Sequence, residues 1–265
     1  MTKIIAEIGW NHMGDLSLAK KMIVAASENG SDFIKTQFFS TKNLKPGPWD
    51  DDGRREIYEK AQLTIEKYIE LKNFCSKSKI NFFTSVFTLE DLKKISKYEK
   101  DYIKIPSAEA NNFEMIKFAS ENFKNVLIST GTLKKSEIKN ISKIVTKDKL
   151  TLLHCVSSYP CKDEDINLPK INHLRKYANS IGFSDHTQGI LATILAIPYK
   201  LSYIEKHFTI DQSLPGRDNK FAILPKDISE LKKTILLFEK ANIDHGEDYL
   251  KCEEEVRNIY ARRWG

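Results

Sequence analysis

The sequence lacks long apolar runs and the motifs of several ligand classes. No apolar stretch approaches the roughly 20 residues that a membrane-spanning helix needs. The four cysteines form no CxxC pair and no zinc-finger spacing, so we expect reduced thiols in a cytoplasmic protein. A GxGxxG or Walker loop and nucleic-acid motifs are also missing, which argues against nucleotides and nucleic acids as ligands. The first predicted strand begins almost at the initial methionine and leaves no room for a signal peptide.

Length and composition are those of an ordinary globular domain. The 265 residues suit one (β/α)8 barrel, which takes about 250. Apolar residues make up 41% and charged residues 29% of the chain, enough to bury a sizeable core. The formal charge of +6 comes from lysines scattered through helical segments. We interpret them as a solvated surface whose mild positive field attracts anions.

Short β-rich runs alternate with amphipathic helical stretches along the whole chain. Helices are predicted at 16–29, 64–77, 134–146 and 189–200. The strands are predicted at 4–9, 32–39, 81–87, 102–107, 125–130, 150–156, 180–185 and 203–208. Eight strands, each followed by a helix, favour an α/β fold of the (β/α)8 TIM-barrel type. No composition break divides residues 1–265, so we expect one domain. A doubly wound open sheet is the structural alternative.

Polar side chains stand near the carboxyl end of every predicted strand. Burying such charges without partners costs several kcal/mol, so repetition on many strands makes sense only where they face one another or a ligand. In a barrel they converge on one mouth. The candidate residues are Glu7, Lys35, Gln37, Ser85, Lys104, Ser107, Glu109, Ser129, Ser157, Tyr159, Ser184, His186 and His207. Glu205 is a further polar residue at the end of the eighth strand, without an assigned role.

Two histidines end neighbouring strands and suggest a metal site. His186 and His207 would meet at the mouth, leaving open positions for water or substrate. Glu7, on the strand that closes the ring, could hold a metal-bound water. The alternative is two unrelated histidines, one in a turn and one packed in the barrel. By contrast, we expect structural roles for His12 and His154.

Two cations and several hydroxyls suggest an anionic substrate. Lys35 and Lys104, with serines on neighbouring strands, offer donors for a phosphate and a carboxylate. This set fits a small dianion better than a neutral ligand. The irregular stretch 40–55 follows strand two and is either an active-site wall or lid, or a surface loop.

An ordered set of motifs resembles the N-acetylneuraminate (sialic acid) synthase family. The set extends from residue 6 to residue 218, and its order is more specific than any single motif. The motifs are AEIGWNHMG at 6–14, KTQ at 35–37, IKIPSAE at 103–109, LHCVSSYP at 153–160, GFSDHT at 182–187, IEKHFT at 204–209 and PGRD at 215–218.

The resemblance implies a TIM barrel that condenses phosphoenolpyruvate with an N-acetylated hexosamine aldehyde. It implies a divalent ion on His186 and His207, Mn²⁺ first, with Mg²⁺, Co²⁺ or Zn²⁺ as alternatives. Glu7 would orient a metal-bound water. Glu109, Tyr159 and Asp218 would contact the open-chain sugar. Phosphoenolpyruvate would be held by Lys35, Lys104, Ser107, Ser129 and Ser184, with Gln37, Ser85 and Ser157 as further candidates.

The sequence also departs from the family pattern. Members usually continue into an antifreeze-like domain, whereas here residues 258–265 resemble the linker to that domain and the sequence then stops. Asn219 and Met13 replace a usual His and Asn near the sugar side. The expected partners are therefore the two substrates, and either a second copy in a homodimer or a separate antifreeze-like protein. Two alternative functions are a catalytically idle barrel that serves as a subunit or sugar-binding module, and a 3-deoxy-ulosonic acid phosphate synthase.

Overall fold

The computed structural model describes residues 1–264, and its eight strands close into one parallel barrel. Each strand pairs with its sequence neighbour, and the first strand also pairs with the eighth. The closed ring confirms the predicted barrel and rules out the open sheet. The strands are β1 (Lys3–Gly9), β2 (Phe33–Phe38), β3 (Asn81–Val86), β4 (Tyr102–Ile105), β5 (Asn125–Ser129), β6 (Leu150–His154), β7 (Ser180–Asp185) and β8 (Tyr203–His207).

An outer layer of helices covers the barrel. Their apolar residues recur at helical spacing, as Tyr68, Leu71 and Cys75 do on the third helix, and pack against the strands. Polar residues such as Asp15, which accepts from two backbone N–H groups, cap several N-termini. The helices are α1 (Leu16–Glu28), α2 (Arg54–Ala61), α3 (Ile65–Lys77), α4 (Leu89–Ile95), α5 (Phe113–Asn122), α6 (Lys135–Ile144), α7 (Lys170–Leu174), α8 (Leu191–Ala196), α9 (Pro225–Ala241) and α10 (Glu254–Ile259).

Two prolines shorten predicted elements. Strand β4 ends at Ile105 because Pro106 cannot donate to the ladder, and a 3-10 turn, Ser107–Glu109, follows. The helix predicted at 189–200 is α8 followed by the 3-10 turn Ile197–Tyr199, where Pro198 interrupts the hydrogen-bond pattern. Elsewhere the predicted boundaries hold to within two residues.

The barrel interior has an apolar floor below a polar layer. The floor consists of Ile5, Phe33, Phe83, Leu127, Leu153 and Tyr203. Side chains two apart on a strand share a face, so the next inward position on each of these strands lies one layer higher. Those positions hold Glu7, Lys35, Ser85, Ser129, Cys155 and Glu205. The polar layer therefore rests on a packed base and opens at the carboxyl ends of the strands.

In the described part of the protein, no helix is long and apolar enough to cross a membrane. The four cysteines are all unpaired, and Cys252 is exposed. The stretch 40–55 contains the short 3-10 turns Thr41–Asn43 and Pro48–Asp50 and leads into α2. The segment that resembles a linker includes the end of α10, whereas its last residue, Gly265, lies outside the described residues.

Candidate active site

The polar layer lines a cavity of about 390 Å³, counted to its open mouth. Eleven of the predicted site residues line it, and Phe87, Pro106, Cys155 and Glu205 line it as well. The eleven are Glu7, Lys35, Gln37, Ser85, Lys104, Ser107, Ser129, Tyr159, Ser184, His186 and His207. The barrel therefore brings together groups that are far apart in sequence, as the strand-end pattern predicts.

Two buried cations alternate with two buried carboxylates on the floor of the cavity. Lys104 Nζ donates to both oxygens of Glu205, at 2.9 and 3.0 Å. Lys35 Nζ forms an ion pair with Glu7 and lies 4.0 Å from Glu205. Ser184 Oγ also donates to Glu205, at 2.8 Å. Glu205 is thus the hub of the network.

Burial and charge separate the pKa values of the two carboxylates. Burial raises the pKa of Glu7 to about 7, although the neighbouring Lys35 opposes the shift. Burial also acts to raise the pKa of Glu205, but the ammonium groups of Lys104 and Lys35 outweigh it and lower that pKa to about 2. Glu205 is therefore a fixed anion at neutral pH, whereas Glu7 can exchange a proton. Divergent carboxyl pKa values are typical of acid–base sites.

The glycine at the end of β1 makes room for Glu7. Gly9 has φ +44°, which favours glycine, and a β-carbon there would lie 2.8 Å from Glu7 Oε1. Gln37 Nε2 donates to the same oxygen at 3.3 Å. Gln37 and Lys35 thus both hold the Glu7 carboxylate at the mouth of the barrel.

The two predicted metal-ligating histidines lie side by side. The ring centroids of His186 and His207 are 5.7 Å apart. His186 Nδ1 lies 2.8 Å from the carbonyl oxygen of Val156, so this nitrogen carries the proton and Nε2 keeps its lone pair. Burial lowers the pKa of His186 to about 4. Burial, and the repulsion that a second protonated ring beside His186 would meet, lower the pKa of His207 well below its ordinary value. Both rings are neutral at pH 7, which is the form that binds metals.

One ring nitrogen of each of the two histidines could bind a divalent ion. His207 Nδ1 is buried and has no hydrogen-bond partner among residues 1–264. Two neutral imidazoles with a free nitrogen on each suit a transition metal whose other positions take water or substrate. No group of three or more His, Cys, Asp or Glu side chains in the described chain is arranged for a metal. The donor set therefore fits an open two-histidine site and does not fit a closed structural one.

The rim beside His207 is aromatic and carries one more carboxylate. Asp218 Oδ2 lies 3.5 Å from His207 Nδ1 and accepts a hydrogen bond from the indole N–H of Trp10. Burial raises the pKa of Asp218 to about 6. The Trp10 ring is stacked on Tyr58 of α2, with the centroids 4.5 Å apart. Tyr159 covers His186 from the other side, with a centroid distance of 4.2 Å.

Three predicted residues do not line the cavity itself. Ser157 supports it indirectly, because its hydroxyl is 2.7 Å from that of Ser107. Asp218 lies at the rim, and Glu109 is half-buried in the turn after β4, where burial raises its pKa. His154 faces away from the cavity, stacks on Phe183 and hydrogen-bonds to the backbone, which agrees with the predicted structural role.

Sequence reasoning placed Glu205 among the strand-end polar residues but did not assign it to the site. Its position two residues before His207 on β8 was the available signal, since that spacing puts both side chains on the inner face. Cys155 was missed as well, and it lines the cavity next to Ser129. Trp10 lies within the first motif, but no sequence spacing indicates its contact with Asp218.

A parallel eight-stranded barrel with a polar cavity at its carboxyl ends defines a TIM-barrel enzyme. A model described as the NeuB family matches residues 22–247. The chain is 33% identical to the N,N'-diacetyllegionaminic acid synthase of Campylobacter jejuni subsp. jejuni, over 97% of this chain and 82% of that protein. It is 32% identical to the pseudaminic acid synthase of the same bacterium, over 98% and 80% of the two chains. The chain belongs to the NeuB family.

A solved structure extends the similarity to three dimensions. The N-acetylneuraminic acid synthetase of Leptospira borgpetersenii serovar Hardjo-bovis, crystallised with citrate, superposes with a TM-score of 0.87. Sequence identity is 31%, and the match covers 99% of this chain and 93% of that one. The predicted family and fold are both confirmed.

Proposed function

We propose that this protein condenses phosphoenolpyruvate with an N-acetylated hexosamine aldehyde to give a nonulosonic acid and phosphate. The observation that carries the proposal is the buried Lys35–Glu7 and Lys104–Glu205 network directly below two neutral histidines. Synthases of legionaminic, pseudaminic and N-acetylneuraminic acids among the relatives support it over a 3-deoxy-ulosonic acid phosphate synthase. The sugar is N-acetylmannosamine or a diacetamido-trideoxyhexose.

The lysines and serines on the cavity floor would hold phosphoenolpyruvate. Lys104 and Lys35 are both less than one-twentieth exposed, so their attraction for a phosphate or carboxylate is only weakly screened. Ser107, Ser129 and Ser184 supply neutral donors around them. An arriving anion would compete with Glu205 and Glu7 for the ammonium groups. An idle module would have no use for such a costly buried network, which argues against that alternative.

A divalent ion would be held by His186 and His207, and Mn²⁺ is our first candidate. When bound there, it supplies Lewis acidity at the aldehyde oxygen of the sugar. The open sugar would extend from the histidines toward Asp218 and Tyr159 at the rim, with Glu109 on the side of β4. The residues of this chain then position the aldehyde carbon against carbon 3 of phosphoenolpyruvate.

The reaction requires one new carbon–carbon bond, one water and one proton on the new hydroxyl. Carbon 3 of phosphoenolpyruvate adds to the aldehyde carbon, whose oxygen gains a proton. Water adds to the resulting cationic carbon 2, and the tetrahedral adduct loses phosphate to leave the keto acid. Glu7, with a pKa raised to about 7, is the group placed to move these protons. Lys35 and Lys104 offset the anionic charge throughout.

Phosphate release tests the proposal directly. Purified protein is mixed with Mn²⁺, phosphoenolpyruvate and each of several N-acetylated hexosamines, and phosphate is measured. We expect release with one sugar or one sugar class, and its loss with a chelator. His207→Ala should reduce the rate at least about 100-fold, since a bound ion contributes several kcal/mol.

The matched control is His245→Ala, because His245 is exposed and is not among the residues that line the cavity. It should leave the rate unchanged. Failure to release phosphate with every sugar, in protein that binds Mn²⁺, would overturn a self-sufficient synthase. Release that occurs only after an antifreeze-like domain is added as a separate protein would identify a two-part enzyme.

The hydrogen bond between Trp10 and Asp218 gives a second prediction. Trp10→Phe keeps an aromatic ring against Tyr58 but removes the indole N–H. A hydrogen bond to a charged group contributes about 1.5–3 kcal/mol, so the KM for the sugar should rise roughly tenfold or more. The KM for phosphoenolpyruvate should stay constant in steady-state assays, because the lysines are untouched.

Trp49→Phe is the control for this change. The Trp49 indole N–H donates to the carbonyl oxygen of Lys45 at 2.7 Å, in the loop 40–55. Its loss should alter neither KM. Equal effects of the two substitutions on the sugar KM would contradict a specific role for Trp10.

A further inference from the structure

A second buried ion pair lies behind the two histidines, on the outer face of the barrel wall. Asp185 and Lys206 are 1% and 2% exposed, and Lys206 Nζ donates to Asp185 Oδ2 at 3.0 Å. They are paired residues of β7 and β8. Because side chains alternate along a strand, both point toward the helices while their neighbours point into the cavity. Thr193 of α8 donates to the same oxygen at 2.5 Å, which confirms this direction.

This pair holds the backbone next to each histidine. The N–H of Thr187 donates to Asp185 Oδ1 at 2.8 Å, and Lys206 Nζ donates to the carbonyl oxygen of Thr187 at 2.7 Å. Thr187 directly follows His186, and Lys206 directly precedes His207. The Thr187 N–H is thus tied to Asp185 of the preceding strand β7, and the Thr187 carbonyl is tied to Lys206 of the neighbouring strand β8. The contacts cross from β7 to β8 at the level of the two imidazoles.

A contribution to stability alone does not account for such a pair. Removing two charges from water costs most of what their attraction returns, and apolar residues of similar volume often do as well. What the pair provides is geometry, because its hydrogen bonds are directional and fix the relative position of two strand ends. Outer hydrogen bonds that fix the orientation of metal-ligating histidines typically affect metal affinity by about 10- to 100-fold when they are removed.

We propose that Asp185 and Lys206 are positioning residues that keep His186 and His207 at the separation needed to share one divalent ion. The proposal rests on the metal site in the proposed function, but it concerns residues outside the cavity. Neither side chain contacts substrate or metal. Their effect passes through the backbone of Thr187 and the register of the two strands. They are the counterpart, behind the barrel wall, of the Val156 carbonyl that orients the His186 ring.

The test measures Mn²⁺ binding to the metal-free protein by electron paramagnetic resonance. The variant is Asp185→Leu/Lys206→Met, which removes both charges together and leaves no unpaired ion. We expect the Kd for Mn²⁺ to rise by about 10- to 100-fold. The Tm should fall by only a few degrees, because two apolar side chains fill the same space. A Kd within twofold of the unmodified protein would overturn the proposal.

The ion pair between Asp32 and Lys232, away from the histidines, provides the matched control. Lys232 and Asp32 bind each other at 3.0 Å near the opposite end of the barrel. Asp32→Leu/Lys232→Met should shift the Tm without changing the Kd for Mn²⁺. A similar loss of Mn²⁺ affinity in both double variants would mean that Asp185 and Lys206 act only through general stability, which would also overturn the proposal.

Two further outcomes keep the inference separate from the catalytic proposal. If the Asp185→Leu/Lys206→Met protein does not fold, Thr193→Val removes one hydrogen bond of the network, and the same Kd should still rise several-fold. An unchanged Kd in that variant would count against positioning. Loss of Mn²⁺ affinity in the double variant, when the unmodified protein releases no phosphate with any sugar, would support the positioning pair and reject the self-sufficient synthase. Absence of Mn²⁺ binding in the unmodified protein would reject the positioning pair itself.

Discussion

Lys104→Met is expected to lower kcat/KM for phosphoenolpyruvate by about 1,000-fold. Lys104 donates to both oxygens of Glu205, and the side chain is almost fully buried. Removing one partner of a buried pair costs roughly 3–5 kcal/mol, because the other charge is left without compensation. The substitution also removes one of two cations available to the substrate anion. Steady-state phosphate release measures the fall in kcat/KM, and calorimetry measures the weaker binding of phosphoenolpyruvate.

Lys104→Met/Glu205→Gln distinguishes a structural role of the lysine from a substrate-binding one. With both charges removed, the free energy of unfolding in urea should recover most of the loss. Activity should stay low, because the cation that binds the substrate is still missing. Recovery of activity together with stability would contradict a substrate-binding role for Lys104. Lys124→Met is the control, since Lys124 pairs with Asp101 on the surface at 2.7 Å and such pairs contribute little.

The architecture followed from sequence because its signals are local. Composition and hydrophobic periodicity within about ten residues predict each strand and most helices. Pro106 and Pro198 moved two element ends by removing backbone donors. Parallel pairing and short connections then leave few arrangements for eight alternating strands and helices. Closure of the barrel brings the polar residues at the strand ends together around one cavity.

The interior of the site depends on contacts that no local pattern encodes. Glu205 and Lys104 belong to strands on different sides of the barrel, 101 residues apart in sequence. Their contact exists only because the ring closes and both side chains reach toward its axis. Trp10 meets Asp218 across 208 residues for a similar reason. Sequence could therefore identify the groups that face the mouth, but not which of them neutralise one another.

Acidification is expected to destabilise the metal-free protein between pH 6.5 and pH 4. Burial lowers the pKa to about 4 for His12, His154 and His186, and lowers the pKa of His207 well below its ordinary value. An unfolded histidine binds its proton near pH 6.5. The unfolded state therefore binds more protons throughout this window, and stability present above pH 6.5 is lost as the pH falls.

Two carboxyls act in the opposite direction and reduce the net effect. The pKa of Glu7 is raised to about 7 and that of Asp218 to about 6, so near pH 5 the folded state holds a proton on each. On unfolding near pH 5, the four histidines take up about four protons and the two carboxyls release about two. The net uptake is about two protons. Stability should therefore fall by roughly 3 kcal/mol per pH unit near pH 5. Urea unfolding at several pH values, followed by circular dichroism, gives this slope.

One histidine can be isolated within that slope. His154→Gln preserves a donor for the carbonyl oxygen of Ile166, which His154 Nε2 contacts at 2.7 Å, but cannot take up a proton. The variant should lose about one proton of uptake, and its stability should fall by roughly 1.4 kcal/mol less per pH unit. His245→Gln, at an exposed site, should leave the slope unchanged. Identical slopes in the unmodified protein and both variants would show that the fold does not hold His154 neutral. Mn²⁺ would then be the next probe of His186 and His207. A bound ion should protect only those two rings from protonation.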